Sequence, residues 1–393
     1  GTGKHAKKEV KEARWAPGYA TGRVCDFLEL VVRARRHCGG GNAQNASDLF
    51  FSSCGINLDS ILDNPYRLVV NIQCPRSSSD GKNVTNVTLP ASGNVICGER
   101  IENVHSLSVP SFQFGDPCLK QYTRRHCFDD GFQVPKVVHY VWFSNRTLDI
   151  FTFLSVLSAY RFLNPCLVLF HADYLPFGSY WRALQGLVPV LVHVNRTAPA
   201  QIFGKPFGFV QHQSDIARIE ALKEYGGIYL DGDQLVLRSL DDFRHKSFVM
   251  GHENNQNLAN SLLLSAPDAK FIDVWYRSYK SYDPRQWGIH STFLPLALSR
   301  VFRDMIHVAG YAFVKPDLSW IHEVWEGKYN WANNHAVHLY VRSMVESQRV
   351  RTAYTLDELK RKNSSLGEIT RHIMFGAKDM CIERELGDAD KKQ

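Results

Sequence analysis

Apolar residues gather into dense runs only beyond position 133. VPKVVHYVWF (Val134 to Phe143) is a β-branched and aromatic run introduced by a proline, and it predicts a buried strand. A helical stretch is expected around Leu148 to Phe162, followed by two further apolar runs, PCLVLFHAD (Pro165 to Asp173) and LVPVLVHV (Leu187 to Val194). Strands alternating with helices predict a mainly parallel sheet of the α/β class. In SDIARIEALKEYGG (Ser214 to Gly227), Ile216, Ile219, Ala221 and Leu222 fall near a 3.6-residue period. Ser214 or Asp215 is expected to cap this helix, and Gly226 with Gly227 to stop it. IYL then reads as a strand, with Asp231 and Asp233 at its carboxyl end, where open α/β sheets bind ligands. Residues from about 20 to 130 lack such texture, with polar clusters such as RSSSDGKNVTNVT and short strand-like runs such as YRLVVNIQC. The expected division is a cysteine-rich stem over 1–132 and an α/β domain over 133–393.

Composition narrows the class. At 44% hydrophobic and 12% aromatic residues, the chain can bury an ordinary globular core. A formal charge of +7 suits an acidic partner such as a nucleotide or a glycan at a membrane, but the excess is too dispersed to imply nucleic acid. No window of apolar residues is long enough to span a bilayer. The opening GTGKHAKKEVKEARW is polar and basic, and reads as a stem remnant whose membrane anchor lies outside this sequence. Seven of the nine cysteines crowd the first third, while Cys166 and Cys381 lie beyond it, and no CxxC pair occurs, so disulfides are expected rather than zinc. Asn-x-Ser/Thr triplets begin at Asn45, Asn83, Asn86, Asn145, Asn195 and Asn363. Together these features point to a secretory-pathway lumen or to the cell exterior.

Side chains two apart on an extended strand point the same way, so Asp231 and Asp233 are expected to converge on one hard cation. Carboxylates completed by phosphate oxygens are how Mg²⁺ or Mn²⁺ meets a nucleotide. The motif alone is weak, since a second Asp-x-Asp, Asp388 and Asp390, stands in the polar C-terminal tail. The preceding helix, glycine pair and apolar strand supply the context that the tail lacks. An EF-hand loop starting at Asp231 would need Gly where Val236 stands and Glu where Asp242 stands, and it fails at both. A phosphatase with an aspartate nucleophile also places Asp-x-Asp after a strand, but Gln234-Leu235 replaces the Thr-Leu or Thr-Val expected next.

VVHYVWF, SDIARIEALKEYGGIYLDGDQ and AVHLY together resemble glycosyltransferase family 32, the DXD-containing sugar transferases related to α-1,4-galactosyl- and α-1,4-N-acetylglucosaminyltransferases. The SD-x-x-R and YGG-x-Y-x-D-x-D elements also resemble the glucosylating domains of large clostridial toxins. The resemblance covers about residues 134 to 345. It implies a GT-A (Rossmann-like) nucleotide-sugar transferase fold and transfer with retention at the anomeric carbon. It further implies that Asp233 is the direct ligand of Mn²⁺ or Mg²⁺, and that Asp231 binds donor hydroxyls and reaches the metal through water. Asp215, Arg218 and Tyr229 would hold the donor, Trp142 would stack on uracil, and Asn260 would lie near the sugar or acceptor. His338 would face the metal or diphosphate, with Asn334 and His335 competing for that role. The implied partners are a UDP-sugar carrying galactose, N-acetylglucosamine or glucose, and a glycan, glycolipid or glycoprotein acceptor. The chain departs from the family pattern at Pro295, displaced from its usual pairing with glycine, and at Tyr340, where a tryptophan is common.

A departing nucleoside diphosphate concentrates negative charge, which a divalent cation and Arg218 would neutralise. No enzymic nucleophile is evident, and Glu253 in GHENNQNLAN is the single carboxylate to consider for a double displacement. The competing reading is a secreted sugar- or nucleotide-binding protein that keeps the fold without transfer. The complete set Asp215, Arg218, Asp231 and Asp233 stands against it.

Overall fold

The computed structural model describes residues 109–351 and 353–376, together with a short antiparallel strand pair, Ile72–Cys74 and Thr85–Val87. The remaining expectations for the cysteine-rich segment, and the second Asp-x-Asp at Asp388 and Asp390, lie outside the described residues.

An eight-stranded sheet forms the centre. Its strands are β1 (Ser111–Gln113), β2 (Val137–Trp142), β3 (Leu167–Ala172), β4 (Leu191–Asn195), β5 (Gly227–Leu230), β7 (Phe248–Asn254), β8 (Asn257–Ser265) and β9 (His307–Val308), in the order β9-β7-β8-β5-β2-β3-β4-β1. Only β8 runs against the others. The expected mixed α/β fold with a mainly parallel sheet is therefore present. The β2 and β3 runs are buried on both faces, His139 and His171 included, because helices cover both sides of the sheet. Val138, Tyr140 and Trp142 pack into the core shared with helix α2 (Ile150–Leu163), whereas Val137, on the alternate parity, faces the other layer. Helix α2 is buried nearly all round, sitting between the sheet, α3 (Ser179–Leu187) and α9 (Ser365–Phe375). Asp149 caps it by accepting the backbone N–H groups of Phe151 and Thr152.

The opposite layer holds α4 (Val210–Tyr225) and α5 (Lys270–Ser278) over a core of Ile216, Ile219, Leu222, Tyr229 and Trp275. Helix α4 begins four residues before the expected cap, so Ser214 and Asp215 lie within it and cap nothing. It ends at Gly226 as expected. Gly227, at φ +109°, leaves no room for a side chain: a Cβ would lie 2.3 Å from the carbonyl oxygen of Val137.

Two features lie across the expected boundary at 132/133. Strand β1 pairs with β4 as the sheet edge, and helix α1 (Pro117–His126) follows it. A disulfide joins Cys127 to Cys166. The sheet thus starts at Ser111, and the division drawn from composition removes its edge strand. That strand escapes a pattern search because it buries only Phe112 of its three residues.

Candidate functional site

The chain leaves the main sheet at the Asp-x-Asp motif. Asp231 extends the β5 ladder by one bond, its N–H donating to the Ser261 carbonyl at 2.8 Å. Gly232 then turns the chain against the start of α2, where a Cβ would lie 2.7 Å from Thr152 Oγ1. From Gln234 the chain forms β6 (Gln234–Val236), which pairs with β10 (Ala336–His338) in a separate two-stranded sheet. Gln234 lies opposite His338, and the Asp233 carbonyl accepts the Leu339 N–H at 3.0 Å. Asp231 and Asp233 therefore flank a turn between two sheets instead of alternating along one strand. The sequence-based geometry is corrected in this respect, while the pair stays together.

Asp233 Oδ2 accepts the Val341 N–H at 2.8 Å from the start of helix α7 (Val341–Glu346), and Oδ1 lies 3.1 Å from His338 Nε2. Burial pushes the Asp233 carboxyl upward, but the His338 charge and hydrogen bond, with the Val341 N–H, outweigh it and hold the group below its ordinary value. Burial likewise pulls His338 down, and Asp233 overcomes it to raise the imidazole. One ligand atom each from Asp231, Asp233 and His338 lie within 4.8 Å of one another. Two carboxylates and one imidazole, backed by a fixed backbone N–H, form a donor set that fits a divalent cation such as Mn²⁺ or Mg²⁺.

Helix α4 supplies the adjoining wall. Asp215 and Arg218, one turn apart and both buried, pair at 3.1 Å. Arg218 donates to the Asn260 carbonyl at 2.8 Å and to the Ser214 carbonyl at 3.1 Å, lies 3.3 Å from Asp231 Oδ1, and covers the Tyr229 ring at 4.5 Å. Tyr229 donates its hydroxyl to Asp231 Oδ1 at 2.7 Å, and Asn260 donates its amide to Asp215 at 2.9 Å. Burial lifts the Asp215 carboxyl to about 6; Arg218 and the bonds from Asn260 and Ser291 oppose the rise, while Asp231 adds to it. Burial alone would lower the Arg218 guanidinium, but Asp231, Tyr229 and Asp215 raise it further, so it stays charged.

These groups open on one cleft of about 450 Å³, lined by Asp215, Arg218, Asp231, Asp233, Asn260 and His338. Of the residues singled out from sequence, Tyr229 reaches the cleft through its bond to Asp231. Trp142 does not line it. Its parity along β2 directs it to the α2 side, where it is 3% exposed beneath the Arg146 guanidinium at 3.8 Å. Asn334 and His335 bind the carbonyls of Lys315 and Ser239, so His338 is the one of the three that faces the cleft. Sequence reasoning missed Asn257, Ser291 and Arg342, which also line it. None stands in a periodic or motif context that would have marked it.

Residues 201–249, which contain the Asp-x-Asp turn, match the family described as "Glycosyltransferase sugar-binding region containing DXD motif". This stretch therefore carries a DXD-containing glycosyltransferase sugar-binding region. Among curated proteins the chain is similar to Glucan organizing enzyme 1 of Cryptococcus neoformans var. grubii, with 31% identity over 188 residues, covering 43% of this chain and 50% of that protein. The chain thus spans about half the length of this curated relative. Similar solved structures include the PaToxG glycosyltransferase, at 15% identity with a TM-score of 0.29 over 43% of this chain and 70% of that one. Another is the glycosyltransferase GlyE of Streptococcus pneumoniae, at 10% identity with a TM-score of 0.30 over 44% of each chain. Scores this low carry no argument about the site.

Proposed function

We propose that the chain is a metal-dependent, retaining glycosyltransferase that moves galactose, N-acetylglucosamine or glucose from a UDP-sugar to a hydroxyl of a glycan, glycolipid or glycoprotein. The observation that carries this reading is the convergence of Asp231, Asp233 and His338 beside the Asp215–Arg218 pair in one cleft. Asp231, Asp233 and His338 would hold the cation, which when bound neutralises charge on the diphosphate. Arg218, kept cationic by three neighbours, adds a fixed positive charge where the leaving group gains negative charge. Asp215 and Asn260, hydrogen-bonded to each other, present oxygen and nitrogen atoms to the donor sugar hydroxyls. In the transfer the acceptor oxygen bonds to the anomeric carbon as the bond from that carbon to the diphosphate breaks. The acceptor proton passes to the departing phosphate oxygen, and UDP leaves. Stacking of uracil on Trp142 would require Arg146 to leave its ring.

A setting in the Golgi lumen, or secretion, is supported by the Cys127–Cys166 disulfide and by the exposure of Asn145 and Asn363 in their acceptor triplets. The name of the curated relative favours a glucan among the acceptors. Calorimetric titration of UDP tests the reading. Binding in Mn²⁺ that disappears in EDTA is expected, and equal binding in both, or none in either, would overturn it.

A further inference from the structure

The same cleft carries polar groups that the donor and metal roles leave unused. Glu253, at the end of β7, lines the cleft with each carboxylate oxygen engaged by one neutral donor: Asn257 Nδ2 at 2.7 Å and the Tyr340 hydroxyl at 3.0 Å. Among the described residues no salt bridge reaches it, and its charge adds to the rise of the nearby His338 imidazole. Tyr340, at φ +50°, also packs its ring on His338 with centroids 4.1 Å apart, so Glu253 is tied to the wall that carries the metal ligands. Asn257 is 7% exposed, lines the cleft, and has a buried Oδ1 without a hydrogen-bond partner. Ser261, further along β8 and also lining the cleft, has an unpartnered buried hydroxyl. Buried polar atoms of this kind are ordinarily satisfied by protein or by water, so these two call for a partner that the chain itself does not supply.

We propose that Glu253 and Asn257 form the acceptor subsite and bind adjacent hydroxyls of a pyranose. Two acceptor atoms side by side call for a ligand rich in donors, and hydroxyl pairs on a sugar ring meet that need. An ammonium group fits less well, because Arg342 lines the same cleft. Asn257 bonds Glu253 whereas Asn260 bonds Asp215, so the two asparagines serve separate parts of the cleft wall, one for each sugar. The Tyr340 bridge brings the acceptor sugar next to the diphosphate end of the cleft, the side from which a retaining transfer needs its nucleophilic hydroxyl. This assignment rests on the glycosyltransferase reading above.

The test uses the whole chain with UDP and Mg²⁺. Binding of methyl α- and β-pyranosides of glucose and galactose is followed by saturation-transfer NMR, and UDP affinity by calorimetry, for the wild type, Glu253→Gln and Asn257→Ala. At least one pyranoside should bind the wild type and weaken about tenfold or more in Glu253→Gln, as expected for loss of a hydrogen bond to a charged group. Asn257→Ala should weaken it too, and UDP affinity should be unchanged in both variants. Pyranoside binding that is absent from the wild type, or unaffected by Glu253→Gln, overturns the subsite. Parallel loss of UDP and pyranoside in the variants overturns it as well, by showing that Glu253 supports the whole cleft. If the wild type binds no UDP, the glycosyltransferase reading fails first, whereas UDP binding without pyranoside binding defeats only the acceptor subsite.

Discussion

Asp215→Asn should make the protein more stable at neutral pH while removing a donor contact. Asp215 is a buried carboxyl whose pKa rises from 3.8 to about 6, chiefly through burial, despite the Arg218 guanidinium at 3.1 Å. Below the unfolded value both states hold the proton, and the favourable contribution of the protonated side chain is fully present. As pH rises through about 6 the folded state must also ionise, and that contribution is lost. The gap between the ordinary value and about 6 corresponds to roughly 3 kcal/mol. An amide of the same shape keeps the Asn260 contact and has no ionised form to bury. Urea unfolding in EDTA should therefore find Asp215→Asn more stable by up to about 3 kcal/mol at pH 7. The advantage should shrink to nothing as pH falls from 6 toward 4. A less stable variant at pH 7, or a difference that does not vary with pH, would refute the reasoning by showing that the Arg218 pairing outweighs desolvation.

Other outcomes follow from contacts at single positions. Gly232→Ala places a methyl 2.7 Å from Thr152 Oγ1, so either Thr152 gives up its bond to Asp149 or the turn shifts; thermal unfolding should show a loss of about 1–3 kcal/mol, with weakened Mn²⁺ binding. His338→Ala should lower Mn²⁺ affinity in calorimetry by roughly tenfold or more, and an unchanged affinity would remove His338 from the donor set. Replacing both Cys127 and Cys166 by serine opens a closure across 39 residues, which chain entropy values at about 4 kcal/mol, and urea unfolding should register it as a lower midpoint with the site's UDP binding retained.

Much of this arrangement was legible in the chain because local physics agreed with the final fold. The apolar runs of β2 and β3, the glycine stop after α4 and the position of the Asp-x-Asp motif all follow from periodicity and turn chemistry. What escaped depends on distant partners. Edge strand β1 has too little buried surface to mark itself. The convergence of Asp231 and Asp233 depends on β6 joining β10, about a hundred residues onward, which no local pattern announces. A polar residue preceding an apolar period suggests a cap at Asp215, whereas its burial in the second turn serves the cleft. The resemblance implies a ligand role for Trp142, and strand parity turns it toward the core. The Tyr340–Glu253 bond joins residues 87 positions apart and has no signature in either segment.

The most direct test of the account is release of nucleoside diphosphate from a panel of UDP- and GDP-sugars, with Mn²⁺ or with EDTA, by the wild type and Asp233→Ala. The account predicts turnover of one UDP-sugar, abolished by EDTA and reduced roughly a hundredfold or more by the substitution, because Asp233 ties the candidate ligand set to the α7 wall. Release that is indifferent to both EDTA and Asp233→Ala, or no release from any donor, would contradict it.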